Sequence, residues 1–331
     1  MKKFINNPAD LTTELLQGYT MAYKNKVKLV LDKIVVRANP KSVDKVAIVT
    51  LGGAGHEPAL SGYVGYGMLD ASVVGDIFAA PGAAKLLEAL KIFKHAPGIL
   101  LVVLNHAGDV MSANMAMKMA EREDLRVKML LTHEDISAGT NAPKENCRGL
   151  AGCVPLYKVA GAAAETGRSL DEVYETAERF NNQMATLAVA MTGATHPQTG
   201  QFITTLPDDE MEIGMGQHGE AGGGRSKLLT ADETAEKMIA PLMEALKIEA
   251  DDKALLIING SGATTHMEMS IVYRKANMIL ADAGVNVSPG LISEVLTVQE
   301  MAGFQMILCK LDDDHVDGLN APCDTPYWTV R

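Results

Sequence analysis

The sequence predicts an α/β protein in which largely parallel strands alternate with helices. Six apolar runs rich in Val, Ile, Leu and Met have the length of buried strands. These runs are residues 45–51, 98–105, 126–132, 184–191, 253–259 and 304–310. Two of the helices between them begin with a capping box, a Ser or Thr followed three residues later by Glu, at 169–172 and 230–233.

The length of 331 residues predicts two domains. Residues 192–210 lack a helical pattern and are rich in turn residues, so we place the junction near this segment. We expect a first α/β domain over 1–190, with a largely parallel sheet flanked by helices. A second α/β domain, smaller and mixed, is expected over 191–331.

Composition excludes several classes of function. The net charge of −11, without a basic block, argues against nucleic acid or an anionic membrane as a partner. No apolar run reaches 18 residues, and the N-terminus lacks the pattern of a signal peptide. Four cysteines without a C-x-x-C pair indicate a reducing compartment, so we expect a cytoplasmic protein.

A glycine-rich stretch, GGAGHEP at 52–58, follows the first apolar run directly. It lacks the Lys-Ser/Thr pair of a phosphate-binding loop. Its glycines let the backbone approach a ligand, and His56 among them is either an acid–base residue or a structural cap of the turn. Ligands bind beyond the carboxyl ends of parallel strands, which favours the functional interpretation.

Asp109 lies a few residues beyond the run 98–105, where a helix is predicted to start. A carboxylate at this position most often caps the helix. If this strand neighbours the strand at 45–51, however, Asp109 and His56 leave the sheet at the same edge. Asp109 would then be able to bind a substrate hydroxyl or orient an imidazole.

His218 lies in the stretch IGMGQHGEAGGGR at 213–225, whose first glycines match the dinucleotide fingerprint G-x-G-x-x-G. The residues that follow cannot start the helix that this fingerprint requires, so we interpret the match as accidental. A histidine on a glycine-lined loop remains, and we expect it to be functional. No histidine shows metal-ligand spacing such as H-E-x-x-H, and we predict no metal.

Six long motifs, in this order along the chain, resemble the signatures of the dihydroxyacetone kinase substrate-binding subunit family. They are GGAGHEPALSGYVGYGML, NHAGD, CRGLAGCVPLYKVAGAAAE, FNNQMATLAVAM, DDEMEIGMGQHGEAG and SGATTHMEM. The resemblance runs from one end of the chain to the other. It implies a phosphotransferase with two α/β domains that forms a homodimer.

The resemblance also implies roles for individual residues. His218 matches the histidine that captures the carbonyl of dihydroxyacetone as a hemiaminal, and His56 matches the acid–base residue for the phosphorylated hydroxyl. Asp109 and the glycine loop at Gly53, Ala54 and Gly55 match the groups that bind the substrate. No cofactor is expected on this chain: ATP or ADP with magnesium belongs to a separate helical nucleotide-binding subunit. A phosphotransferase-system protein is a further possible phosphoryl donor.

Four positions depart from family members that are specific for dihydroxyacetone. Those members carry Lys at the position of Leu104 and an aromatic residue at the position of His106. They often carry Ser in place of Ala54 and Gly in place of Leu51. The loss of a cation and a hydroxyl suggests another short ketose, such as erythrulose or a branched ketopentose. Two other functions stay open: a ketose-sensing transcriptional coactivator without turnover, and a carrier of small aldehydes or ketones.

Overall fold

The computed structural model describes residues 2–220, 222 and 224–331, which form fifteen strands and eight α-helices. The strands are β1 Val27–Val30, β2 Ile34–Arg37, β3 Ala47–Ala54, β4 Ala71–Ile77, β5 Ile99–Leu104, β6 Val127–Thr132, β7 Met184–Ala190, β8 Glu210–Ile213, β9 Gly224–Lys227, β10 Lys253–Gly260, β11 Asn286–Val287, β12 Leu291–Ser293, β13 Gly303–Leu311, β14 Cys323–Asp324 and β15 Thr329–Val330. The helices are α1 Leu11–Ala22, α2 Ala83–Ile92, α3 Ala107–Glu121, α4 Cys153–Glu165, α5 Leu170–Asn181, α6 Ala231–Leu246, α7 His266–Asp282 and α8 Asp313–Asn320. All six predicted strands are present, and both predicted capping boxes form, at the starts of α5 and α6.

The first sheet has six strands in the order β1-β2-β4-β3-β5-β6. The four neighbouring strands β4, β3, β5 and β6 are parallel, whereas β1 and β2 add an antiparallel edge. Their apolar composition reflects burial on both faces, since every residue of β5 is buried. The predicted parallel sheet of an α/β fold is therefore confirmed.

The second sheet is mixed, with the strand order β11-β10-β13-β7-β8-β9 and β12 beside β10. Strands β10, β13, β7, β8 and β9 pair antiparallel, and β11 and β12 pair parallel with β10. Helices α6 and α7 pack on this sheet through a core of their own. A mixed second sheet was predicted, and it is confirmed.

The boundary that we predicted at residue 190 does not coincide with the division between the two sheets. Strand β7 at 184–190 was placed with the first domain, but it pairs with β13 and β8 of the second sheet. Helix α4 is buried between the two sheets, and its core contains residues of β3, β5, β10 and β13. Strand pairing is a long-range contact, so the order of apolar runs along the chain does not reveal which sheet a strand joins.

No helix within the described residues combines the length and the apolar character needed to cross a bilayer.

Candidate active site

The carboxyl ends of two neighbouring parallel strands position His56 and Asp109. Strands β3 and β5 pair with Leu51 opposite Val103, so the loops that follow them leave the sheet at one edge. His56 follows β3 at once, and Asp109 lies in the first turn of α3, which begins at Ala107. Both residues line one small cavity, as their positions at the strand ends predicted.

The third predicted residue reaches this cavity from the second sheet. The loop between β8 and β9 carries His218, and we call its residues 214–220 the His218 loop. Gly214 and Gly219 have φ values of +89° and +80°, which residues other than glycine rarely adopt. The loop leads into strand β9 and not into a helix, so it is not a dinucleotide-binding turn.

Arg148 fastens the start of the His218 loop to the remainder of the protein. Its guanidinium donates a 2.7 Å hydrogen bond to the carbonyl oxygen of Gly214 and another of 2.7 Å to the buried carboxylate of Asp135. A third bond of 2.9 Å goes to Oγ of Ser137. Because arginine offers several donors in a fixed planar arrangement, one side chain fixes the loop against two other segments.

The two histidines face each other across the cavity. Nε2 of His56 lies 3.1 Å from Nε2 of His218, and the ring centroids are 5.1 Å apart. The cavity has a volume of about 30 Å³, and its other walls include Gly53, Asp109, Gln217 and Leu104. The two Nε2 atoms are in hydrogen-bond contact, which leaves no room for a ligand between the rings. A ligand that binds between them must therefore separate the two imidazoles.

The contact that Nδ1 of each ring makes shows whether Nε2, which faces the other ring, carries a hydrogen. Nδ1 of His56 lies 2.8 Å from the carbonyl oxygen of Thr297, which only accepts, so Nδ1 is the donor and Nε2 has the lone pair. Nδ1 of His218 lies 3.2 Å from Oε1 of Glu220, and it donates to this carboxylate. Two lone pairs at 3.1 Å would repel, so Nε2 of His218 carries a hydrogen as well. The geometry therefore fits a His218 imidazolium that is paired with Glu220 and donates to neutral His56.

Burial and local charges shift the pKa values of these groups. Burial, together with the nearby charge of His218, lowers the pKa of His56 to about 3, which keeps this ring neutral. Burial alone would raise the pKa of Glu220, but its hydrogen bonds and the charge of His218 hold it well below its usual range. Glu220 is therefore a carboxylate that can neutralise a positive His218 ring.

Asp109 is not the helix cap that its position suggested. Helix α3 has His106 at its N-cap position, and Oδ1 of Asp109 is buried without a hydrogen-bond partner among the described residues. Burial raises the pKa of Asp109 to about 7. A carboxyl oxygen that is buried without a partner at a cavity wall is suited to bind a ligand hydroxyl.

The three predicted residues of the glycine loop differ in their access to the cavity. Gly53 forms part of the wall, and a Cβ atom there would lie 2.7 Å from the backbone nitrogen of Ala79. The side chain of Ala54 is packed in the core, and the amide of Gly55 donates to the carboxylate of Glu57 at 3.0 Å. The substrate-binding roles of Ala54 and Gly55 stay a prediction.

Sequence reasoning missed four residues that support the histidines. Glu220, Thr297 and Arg148 act through the contacts given above, and Phe78 packs against His56 and His218 with centroid distances of 5.0 and 5.6 Å. Only the spacing of His218 and Glu220, two residues apart, gave a local signal. The others come from distant segments.

Within the described part of the chain, one group of side chains has donor atoms close enough for a metal ion. Single donor atoms of His106, His218 and Glu220 all lie within 4.8 Å of one another. His218 and Glu220 already satisfy each other through the 3.2 Å contact. The expectation that the site works without a metal stays a prediction.

The model of the Dak1 domain family matches residues 17–327. The chain belongs to the Dak1 family. A relative from Listeria innocua, named a dihydroxyacetone-binding subunit of a PTS-dependent dihydroxyacetone kinase, is 36% identical over 99% of this chain and 100% of its own length. An L-erythrulose kinase of Pectobacterium atrosepticum is 33% identical over 98% of this chain, which spans 56% of that longer protein. The resemblance inferred from the motifs is confirmed, and it makes the chain a member of a family of phosphotransferase subunits.

Solved structures of Dak1 relatives share the fold. A dihydroxyacetone kinase operon co-activator has a TM-score of 0.90 and 29% identity, covering 96% of this chain and 98% of its own. The dihydroxyacetone kinase of C. freundii has a TM-score of 0.88 and 29% identity, with 99% of this chain matching 60% of that protein. The Dak1 fold therefore occurs in an enzyme and in a regulator.

Proposed function

We propose that this Dak1 protein is the substrate-binding subunit of a kinase for short ketoses, and that His218 holds the ketose covalently. The observation that carries the proposal is the 3.1 Å contact between the two Nε2 atoms, with the far nitrogen of each ring fixed by Glu220 or Thr297. This arrangement directs one nucleophilic nitrogen into the cavity and places a proton acceptor beside it.

Capture of a ketose follows from the positions of the hydrogens. His56 accepts the proton from Nε2 of His218 only in passing, while the lone pair of that nitrogen attacks the carbonyl carbon of the ketose, because the lowered pKa of His56 disfavours a lasting charge on its ring. The C–N bond forms as the C=O double bond becomes a single bond, and His56 passes the proton to the carbonyl oxygen. The resulting hemiaminal leaves a positive charge on the ring of His218, which the carboxylate of Glu220 neutralises.

His56 then serves the phosphorylation step. With the ketose fixed on His218, the vacated Nε2 of His56 faces the substrate and accepts the proton of the terminal hydroxyl as that oxygen attacks phosphorus. Fixing a small, flexible substrate beforehand removes most of the orientational cost of the reaction. Asp109 and Gly53, in the cavity wall, hold the substrate during this step.

The phosphorylation step also requires a phosphoryl donor. We propose a helical nucleotide-binding subunit with ATP or ADP and magnesium, with a phosphotransferase-system protein as a further donor, because the Listeria innocua relative is named PTS-dependent. Assembly as a homodimer stays a prediction.

Intact-protein mass spectrometry under native conditions tests capture directly. Incubation with dihydroxyacetone or erythrulose should add the full mass of the ketose, since a hemiaminal forms without loss of water, and glycerol should add nothing. The variant His218→Ala should show no adduct, whereas His266→Ala, which changes an exposed histidine at the start of α7, should behave like the unmodified protein. An adduct that persists in His218→Ala would disprove covalent capture at this residue.

A ketose-sensing co-activator is the second candidate function, because a protein named a dihydroxyacetone kinase operon co-activator shares the fold at 29% identity. Ligand capture alone does not separate the two functions. Turnover does: adding a nucleotide-binding subunit and ATP should yield ketose phosphate with a kinase subunit and none with a sensor.

A further inference from the structure

The cavity wall contains a polar group beyond the residues discussed so far, the side-chain amide of Gln217. Gln217 is 5% exposed and lines the cavity next to His218. Its Oε1 atom is buried and has no hydrogen-bond partner among the described residues. Native proteins rarely leave such an atom unpaired, because an unsatisfied buried acceptor is destabilising.

The contact of Gln217 with His106 does not provide a hydrogen-bond partner for Oε1 of Gln217. Nε2 of His106 lies 2.8 Å from the carbonyl oxygen of Gly149, so this nitrogen carries a hydrogen and donates it. Nε2 of Gln217, 3.0 Å away, cannot donate to the same atom. If the amide is turned over, its oxygen shares the hydrogen of His106 with the carbonyl oxygen of Gly149, which holds the side chain, and its NH₂ group takes the position where Oε1 has no partner. Among the described residues, the end of the amide that points away from His106 is therefore the end available to a ligand.

The remaining wall gives this unpaired end a specific neighbourhood. The other described residues of the wall are apolar or glycine, so its polar side chains among the described residues are those of His56, Asp109, Gln217 and His218. His218 is assigned to the carbonyl carbon. The other three side chains match three oxygen atoms: the hydroxyl that is phosphorylated, the former carbonyl oxygen and one further hydroxyl.

We propose that Gln217, held in place by His106, is a hydroxyl-binding subsite that selects ketoses carrying a hydroxyl group on both sides of the carbonyl. This inference rests on the proposed capture of the ketose at His218. Dihydroxyacetone and erythrulose meet the requirement, whereas hydroxyacetone has a methyl group on one side. A site that hydrogen-bonds a substrate hydroxyl discriminates against an analogue without it, because the site's own polar group is then left unpaired.

The test compares adduct formation with dihydroxyacetone and hydroxyacetone by native mass spectrometry over a range of concentrations. The unmodified protein should bind dihydroxyacetone at least about 10-fold more tightly than hydroxyacetone. Gln217→Met keeps the length of the side chain but cannot form the hydrogen bond, so the preference should fall by about 5- to 10-fold. The fall should come from weaker binding of dihydroxyacetone, with hydroxyacetone unchanged.

Two further variants make the result specific to this subsite. His106→Phe retains a ring but loses the ring nitrogens, so Gln217 is no longer held and the preference should fall in the same direction. Gln201→Leu changes an exposed glutamine in another loop and should leave the preference unchanged. Because Gln217 has an unpaired buried atom, Gln217→Met should unfold at the same urea concentration as the unmodified protein or at a higher one.

An unchanged ratio in a folded Gln217→Met variant that still forms adducts would overturn the subsite and leave the proposed function intact. Equal losses for both ketoses would also overturn it, since they would indicate a role in folding of the loop. The absence of any adduct in the unmodified protein would instead disprove capture at His218, on which the subsite depends.

Discussion

Replacing Asp109 by asparagine removes a carboxylate whose Oδ1 atom is buried without a partner among the described residues. Burial raises the pKa of Asp109 from 3.8 to about 7, so at pH 8 the folded protein holds a charge that the unfolded chain would hold more favourably in water. Asparagine has nearly the same shape and carries no charge. We therefore expect Asp109→Asn to be more stable than the unmodified protein at pH 8 and to be deficient in turnover.

The magnitude follows from the difference between the two pKa values. At about 1.4 kcal/mol for each pH unit, the interval from 3.8 to about 7 corresponds to roughly 4 kcal/mol. Partial exposure of the side chain reduces this figure, and we expect a gain of about 2–4 kcal/mol for the variant at pH 8.

The pH dependence has a definite sign. Between pH 4 and 7 the folded state of the unmodified protein binds more protons through Asp109 than the unfolded state does, so the contribution of Asp109 to stability falls as the pH rises. Below about pH 4 both states are protonated and the contribution of the charge vanishes. The stability difference between variant and unmodified protein should therefore grow from near zero at pH 4 to its full value at pH 8.

Urea denaturation at several pH values measures the unfolding free energies of the two proteins. Subtracting one from the other cancels the contributions of the other titrating groups, which both proteins share. The slope of the unfolding free energy against urea should be the same for both proteins. A variant that is less stable at pH 8, or a difference that does not change with pH, would refute the argument. Either result would mean that a group outside the described contacts already pairs with the carboxylate.

Two further predictions concern the residues that position His218. Glu220→Gln keeps a hydrogen-bond acceptor near Nδ1 of His218 but removes the charge that neutralises the captured ring. We expect the dissociation constant of the ketose adduct to rise by about 5- to 30-fold. An unchanged dissociation constant would count against the assigned tautomers. Arg148→Lys cannot bond Gly214 and Asp135 together, so stopped-flow capture should slow by about 10-fold while the urea midpoint moves little, and equal rates would show that the loop needs no such anchor.

The sequence was sufficient for the α/β class and for the positions of most elements. Continuous apolar runs such as 98–105 indicate strands buried on both faces, and capping boxes mark the starts of helices α5 and α6. Position relative to a strand end was also sufficient to group His56 with Asp109. Both of these signals depend on neighbouring residues in the chain, which is why the sequence contains them.

The tertiary structure alone decided the pairing of β7 with the second sheet and the approach of His218 to His56, residues that are 162 positions apart. It also decided which nitrogen of each histidine faces the cavity, through Thr297 and Glu220, and it revealed the unpaired amide of Gln217. These features depend on hydrogen bonds between distant segments and on burial. The sequence by itself determined which chemical groups are present, and the fold determined which of them meet and in which protonation state.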